Sequence, residues 1–266
     1  MNMRAARGLR ALLCVLPAGM TVAAAAAESP APRRALFVGN SLVYYNDLPR
    51  LTATLAAAAN APLEVEMIAG AGTTMREHLE RGTLRKEFAR THYDIVVLQD
   101  RGGYPSCARD DHDCAGSVAA MCEAATLARE AGARPVWFGT WQGIAEAQAA
   151  LSKVGARAAK DCDVAFADVG AAMQRFLARS RMRPWLDDGH PDVSGSWVAA
   201  AVLARAITNE RAHVPEPMPQ TCRVRWQDAH PDEGSLASAQ QEPARDCTMP
   251  SPAIVRGAVD AANRSR

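Results

Sequence analysis

The sequence predicts an α/β protein whose central parallel sheet is covered by helices on both faces, and three observations predict it. From Arg33 onward, short apolar runs at 35–38, 63–68, 93–98, 135–139 and 164–168 are separated by longer segments of helical character. The runs are continuous or nearly so, which is the pattern of strands buried on both sides. Strand and helix candidates also follow one another singly, the rhythm of parallel strands joined by helical crossovers.

The helix candidates lie at 48–60, 74–90, 117–131, 144–160 and 170–179, with a last one from Ser194 to about Thr208. The first has Asn46 and Asp47 as candidate N-caps and Pro49 in its first turn, where a missing N–H costs nothing. No internal repeat is evident. After about Arg211 the character changes: Pro215, Pro217 and Pro219 stand close together, and a polar stretch without clear periodicity runs to Arg266. The expected organisation is one domain over residues 33–210 and an irregular appended tail over 211–266.

Residues 1–27 do not belong to that domain. Arg4, Arg7 and Arg10 precede an apolar, alanine-rich run that ends in Ala25-Ala26-Ala27 before Glu28, the layout of a secretory signal peptide. The apolar stretch is broken by Pro17 and Gly19 and is short for a spanning helix, so no stable membrane span is expected. Cys14 lacks the small residue expected just before a lipidated cysteine, which places lipidation behind simple cleavage. Loss of the leader, with three arginines and no acidic side chain, leaves 27 basic against 29 acidic groups, net −2. Nucleic acid is not suggested as a partner.

Six cysteines remain after the leader, and an even number in an exported chain favours disulfides. Spacing alone leaves about 15 connectivities open. The expected pairing is Cys107 with Cys114 and Cys222 with Cys247, leaving Cys122 with Cys162; buried free thiols are the plainer alternative. A secreted or periplasmic location follows from leader and cysteines together.

In an open parallel sheet, functional groups collect in the loops after the strands, at the carboxyl edge. Those loops read Gly39-Asn40-Ser41, then Gly70-Ala71-Gly72-Thr73-Thr74, then Gln99-Asp100-Arg101, then Thr140-Trp141; Asp187-Asp188-Gly189-His190-Pro191 stands near the end of the domain. They form a parts list for acyl transfer. A serine hydroxyl is a weak nucleophile until a base takes its proton, and His190 offers that base, with Asp187 three residues earlier to hold its tautomer. The negative oxygen of a tetrahedral intermediate needs fixed donors, for which the N–H groups of Ser41 and Gly72 and the side-chain amide of Gln99 are the candidates.

The segment FVGNSLVYYNDLP resembles the first block of the SGNH/GDSL hydrolases, in the branch that reads G-N-S; GAGTT is similar to the second block, and DDGHPDVSGSWVAA to the closing D-x-x-H-P block. The resemblance covers about residues 33–209. It implies a flavodoxin-like three-layer α/β/α sandwich and an oxygen-ester hydrolase with Ser41 as nucleophile, His190 as base and Asp187 as orienter. It further implies an oxyanion hole from Ser41, Gly72 and Gln99, no cofactor and no metal. The implied substrate is a small-molecule or carbohydrate ester, with small acyl groups such as acetyl first and lipid esters and thioesters as the alternatives. The third block departs from the family: VVLQDRGG stands where most members carry G-x-N-D, and Gln99 is one methylene longer than Asn.

Each residue also has a plainer reading. Ser41 after Gly-Asn fits a turn or cap, His190 a loop histidine, and Gly70 or Gly72 a tight turn. His78 falls one helical turn beyond Thr74, facing either the same cleft or solvent. Trp141, Trp185 and Trp197 fit a substrate pocket or the core equally well. Asp228-Ala229-His230-Pro231-Asp232 repeats the closing loop with the wrong spacing, and Asp110-Asp111-His112-Asp113 reads as a solvated loop between two cysteines. No G-x-S-x-G, G-K-[ST], H-E-x-x-H or dinucleotide glycine pattern occurs. What outweighs the plain readings is that all the blocks occur in order, each at a strand end or loop. Two rivals remain: a non-catalytic carbohydrate- or peptide-binding protein on the same fold, and a metal site built from Asp187, Asp188, His190 and Asp192.

Overall fold

The computed structural model describes residues 31–107, 112–224, 237–238 and 246–264. The leader, residues 110 and 111 of the acidic run and the 228–232 repeat lie outside the described residues. All five expected strands are present, as β1 (Arg33–Gly39), β2 (Leu63–Ala69), β3 (Ile95–Leu98), β4 (Arg134–Gly139) and β5 (Ala165–Asp168). They pair in parallel in the order β5-β4-β3-β1-β2.

The apolar continuity of these strands has a direct cause, since successive side chains enter two different cores. Ala35 and Phe37 of β1 join Met67, Val97 and Phe138 on one face. Leu36 and Val38 join Ile68, Val96, Leu98 and Trp137 on the other. The first face is covered by α2 (Leu48–Ala58), α8 (Val169–Ser180) and α9 (Val193–Thr208). The second is covered by α3 (Met75–Glu80), α4 (Thr83–Phe88), α6 (Ser117–Glu130) and α7 (Ala145–Asp161). Two short helices, α1 (Ser41–Tyr44) and α5 (His112–Ala115), lie between these elements. The result is the three-layer sandwich expected.

Three differences from the sequence reading have physical reasons. The helix expected over 74–90 divides into α3 and α4, because Gly82 adopts a left-handed conformation (φ 66°) between them. Asp47 occupies the N-cap position of α2 in a left-handed conformation without capping it; its carboxylate pairs with Arg50 at 2.9 Å. Burial pushes the Asp47 carboxyl up to about 6, against the pull of Arg50.

The third difference is the tail, which is not irregular throughout. Strands β6 (Thr221–Cys222) and β8 (Cys247–Thr248) pair antiparallel, and β7 (Ala237–Ser238) extends the main sheet beside β2. A final helix, α10 (Pro252–Asn263), begins at the N-cap Ser251, whose hydroxyl accepts from Ile254 N–H. Val255, Ala258, Val259 and Ala262 form its apolar stripe and join the core made by α8 and α9. Guanidinium groups of Arg175 and Arg205 hydrogen-bond to carbonyls of its last turn, at Ala261 and Ala262.

The disulfides are Cys107–Cys114, Cys122–Cys162 and Cys222–Cys247, the pairing expected. Because α10 buries Val255 completely, Val255→Ala should lower the unfolding free energy by about 1–3 kcal/mol, whereas Arg256→Ala, on the exposed face, should change it by less than about 0.5. Urea unfolding checks both; equal midpoints for Val255→Ala and the unmodified protein would detach the helix from the folding unit.

Candidate functional site

The first loop is fastened from three sides. Asn40 caps α1 by accepting from Leu42 N–H at 3.1 Å, and its amide donates to the Thr73 carbonyl of the second loop at 3.1 Å. Its own N–H donates to Gln99 Oε1 in the third loop at 2.9 Å. His78, buried on α3, donates from Nε2 to the Gly39 carbonyl at 2.7 Å, which fixes its tautomer. Thus His78 faces neither the cleft nor solvent; it braces the turn that carries Ser41.

Gln99 can reach Asn40 only because Gly39 has no side chain: a Cβ there would lie 2.3 Å from Gln99 Oε1 and 2.8 Å from Val43. The Gln99 amide nitrogen meets the Asp100 carbonyl, and the side chain is fully buried. Gln99 is therefore not presented to the cleft as an oxyanion donor, contrary to expectation. The extra methylene that separates it from Asn carries the amide back over Gly39, where it holds the loop. Asp100 beside it is a buried carboxylate that accepts from Met75 N–H at 3.0 Å and from the Ser117 hydroxyl at 2.6 Å, tying the third loop to α3 and α6.

The closing loop is built from a bridge between Trp185 and Pro191, with Leu186 N–H donating to the His190 carbonyl at 2.8 Å. Trp141 Nε1 donates to the Gly189 carbonyl at 3.0 Å. Asn46, buried just after α1, donates to the Pro191 carbonyl at 3.2 Å and to Ser196 Oγ at 2.8 Å, which joins the Ser41 segment directly to the closing loop and α9. Across that join His190 Nε2 lies 2.9 Å from Ser41 Oγ. Two residues 149 positions apart therefore sit at proton-transfer distance.

The carboxylate arm differs from the sequence reading. Asp187 turns outward, its side chain 93% exposed and paired with Arg183. Asp188 takes the place beside the imidazole: its Oδ1 accepts from His190 N–H at 3.0 Å, and its Oδ2 lies 3.0 Å from Nδ1. The approach to Nδ1 is poorly directed, so among the described residues that buried nitrogen lacks a well-aligned hydrogen bond. The His190 N–H, then the ring, hold the Asp188 carboxyl below its ordinary value, although it stays largely exposed. Tight D-D-G-H geometry explains the exchange, because Gly189 adopts a positive φ (85°) and folds the nearer aspartate onto the ring. Asp192 caps α9 through Gly195 N–H at 2.8 Å. The four groups of the metal rival thus point to different partners.

Ser41, Gly72, Trp141, Trp185, Asp188 and His190 all line one cleft of about 440 Å³, together with Arg101 and Arg183. Among the described residues, the N–H groups of Ser41 and Gly72 donate to no protein acceptor. Trp197 instead belongs to the core, with Nε1 donating to Thr221 Oγ at 2.9 Å. The sequence reading gives Asn46 only as a candidate N-cap and Tyr45 no task, although both lie within the segment FVGNSLVYYNDLP that carries the resemblance.

No protein-family model matches the chain, and no curated protein matches it. Among solved structures, a protein from Slackia heliotrinireducens assigned to the SGNH hydrolases is 30% identical, with TM-score 0.55, over 66% of this chain and 100% of that one. A variant of Axe2, an acetylxylan esterase from Geobacillus stearothermophilus, is similar at 15% identity and TM-score 0.53, over 70% of this chain and 99% of that one. TesA is similar at 19% identity and TM-score 0.52, over 66% of this chain and 99% of that one. The last two likenesses concern the fold.

Burial holds the His78 imidazole below its ordinary value of 6.5, outweighing the hydrogen bond to Gly39. The folded value lies below the unfolded one, so the stability from neutral His78 is complete above 6.5 and is lost as pH falls below it. Asp47, raised by burial, acts in the opposite sense and is common to both proteins in the comparison. Between pH 7.5 and pH 5, roughly, His78→Gln should lose less unfolding free energy than the unmodified protein in denaturant titrations. An equal loss in the two would place the acid sensitivity elsewhere.

Proposed function

The chain belongs to the SGNH hydrolase family, and from that premise we propose that it is an exported ester hydrolase working through an acyl-serine intermediate. The observation that carries the reading is the 2.9 Å approach of His190 Nε2 to Ser41 Oγ at the end of an open cleft. In the proposed reaction Ser41 Oγ attacks the ester carbonyl while His190 takes its proton. The oxygen that becomes negative is received by the N–H groups of Ser41 and Gly72. The alcohol leaves with the proton from His190, and a water activated by the same ring then frees Ser41. Asp188, rather than Asp187, favours the imidazolium form during both transfers.

Small acyl groups on carbohydrate are the proposed substrate class. The support is a cleft of modest size walled by Trp141 and Trp185, and a fold shared with an acetylxylan esterase. Export is supported by the leader layout of residues 1–27 and by three disulfides, a pattern of oxidising compartments. The domain proposed for this work spans residues 33–210, with the tail helix α10 packed into its core. The rival, a binding protein without turnover, draws on one observation: the Gln99 amide does not enter the cleft.

A fluorophosphonate probe separates the two, with mass added to the peptide containing Ser41 expected for the enzyme and an unlabelled folded protein for the binder. Ser41→Ala and His190→Ala should each reduce p-nitrophenyl acetate turnover by about 10³-fold or more. Asp188→Asn should reduce kcat by roughly tenfold or more, and Asp187→Asn by less than about twofold. The reverse order for the two aspartates would restore the assignment of Asp187 as orienter.

A further inference from the structure

The His190 ring is held weakly at its edge. Among the described residues Nδ1 has no well-aligned partner, and the carboxylate nearest it belongs to a side chain that is 61% exposed. Such a ring is free to rotate about its side-chain bonds unless its faces are covered, and one face is covered. Tyr45 stacks on it with ring centroids 4.5 Å apart and planes 18° from parallel.

Tyr45 in turn is held from the tail. The Arg223 guanidinium lies over the Tyr45 ring, 4.5 Å from its centroid, and its Nη2 contacts the phenol oxygen. Arg223 has little backbone freedom, because its N–H donates to the Asp246 carbonyl at 3.0 Å. The preceding Cys222 is bonded to Cys247, and Thr221 accepts from Trp197 in the core. A continuous stack therefore runs from a disulfide-closed strand pair, through one cation and one phenol, to the imidazole beside Ser41.

We propose that Tyr45 and Arg223 are positioning residues of the site. The strand pair closed by Cys222–Cys247 presents Arg223, Arg223 fixes the Tyr45 ring, and that ring keeps the imidazole plane in line with the Ser41 hydroxyl. The tail is then a working part of the site, standing in for the well-aligned carboxylate that Nδ1 lacks. The inference rests on the assignment of Ser41 and His190 as nucleophile and base.

The test uses the full-length protein and p-nitrophenyl acetate, with kcat and KM measured for Tyr45→Ala, Tyr45→Phe, Arg223→Ala and Arg223→Lys. Tyr45→Ala should lower kcat by about tenfold or more with KM within about twofold, since a displaced base costs rate without removing a substrate contact. Tyr45→Phe keeps the stacked ring and should lose less. Arg223→Ala should lower kcat several-fold, and Arg223→Lys should recover most of the loss because a cation over the ring is kept.

Arg223 is exposed, so its variants report even if Tyr45→Ala fails to fold. An active unmodified protein whose kcat is the same in Arg223→Ala overturns the proposal and leaves the serine-hydrolase reading intact. So does a loss of kcat in Arg223→Ala that Arg223→Lys does not relieve, or a rise confined to KM. An unmodified protein without turnover or labelling of Ser41 removes the underlying reading and this one with it.

Discussion

The hydrogen-bonding group on which this architecture turns is Asn40. One side chain and one backbone N–H bind the turn that carries Ser41 to the second loop through Thr73, to the third through Gln99 and to its own helix through Leu42. All of these groups are buried, so each bond lost would leave a polar atom unsatisfied in a dry environment. The turn is thereby held rigid at the carboxyl edge of β1, and Ser41 lines the cleft with its N–H unclaimed by any of the described residues. Asn46 then carries that rigidity to the closing loop, and the imidazole arrives opposite the hydroxyl.

Two residues at this site perform different tasks from those their spacing suggests. Gln99 stands where an oxyanion donor is expected, yet its amide passes over Gly39 and braces Asn40. Asp187 has the expected separation from His190, yet Asp188 lies against the ring. Both cases share a cause: a methylene added to a side chain, or one residue moved along a tight loop, is enough to redirect a polar group. Chemistry of the residue type is then preserved while its target changes.

The sheet was legible because it obeys a local rule. Strand positions buried on both faces are apolar in succession, and Leu36 and Phe37 show why, since each enters a different core. Ser41, Gly72 and His190 were legible as candidates because strand order and loop position restricted the search. The α10 helix was missed although Val255, Ala258, Val259 and Ala262 follow helical spacing, because small alanines on its buried face mute the apolar signal. The stack of Arg223 on Tyr45 and Tyr45 on His190 could not be read at all, since nothing in the chain between positions 45 and 223 encodes their meeting. Such contacts depend on how the tail returns across the domain, which is a property of the whole fold.

In the proposed reaction the Ser41 hydroxyl, the His190 ring and the N–H groups of Ser41 and Gly72 surround one reacting carbon. A crystal structure of the protein after reaction with a phosphonate ester shows whether they do. Phosphorus is expected bonded to Ser41 Oγ, with the phosphonyl oxygen within hydrogen-bonding distance of the Ser41 and Gly72 N–H groups and the leaving-group side facing His190. A phosphonyl oxygen turned away from both N–H groups, or an adduct on another residue, would contradict it.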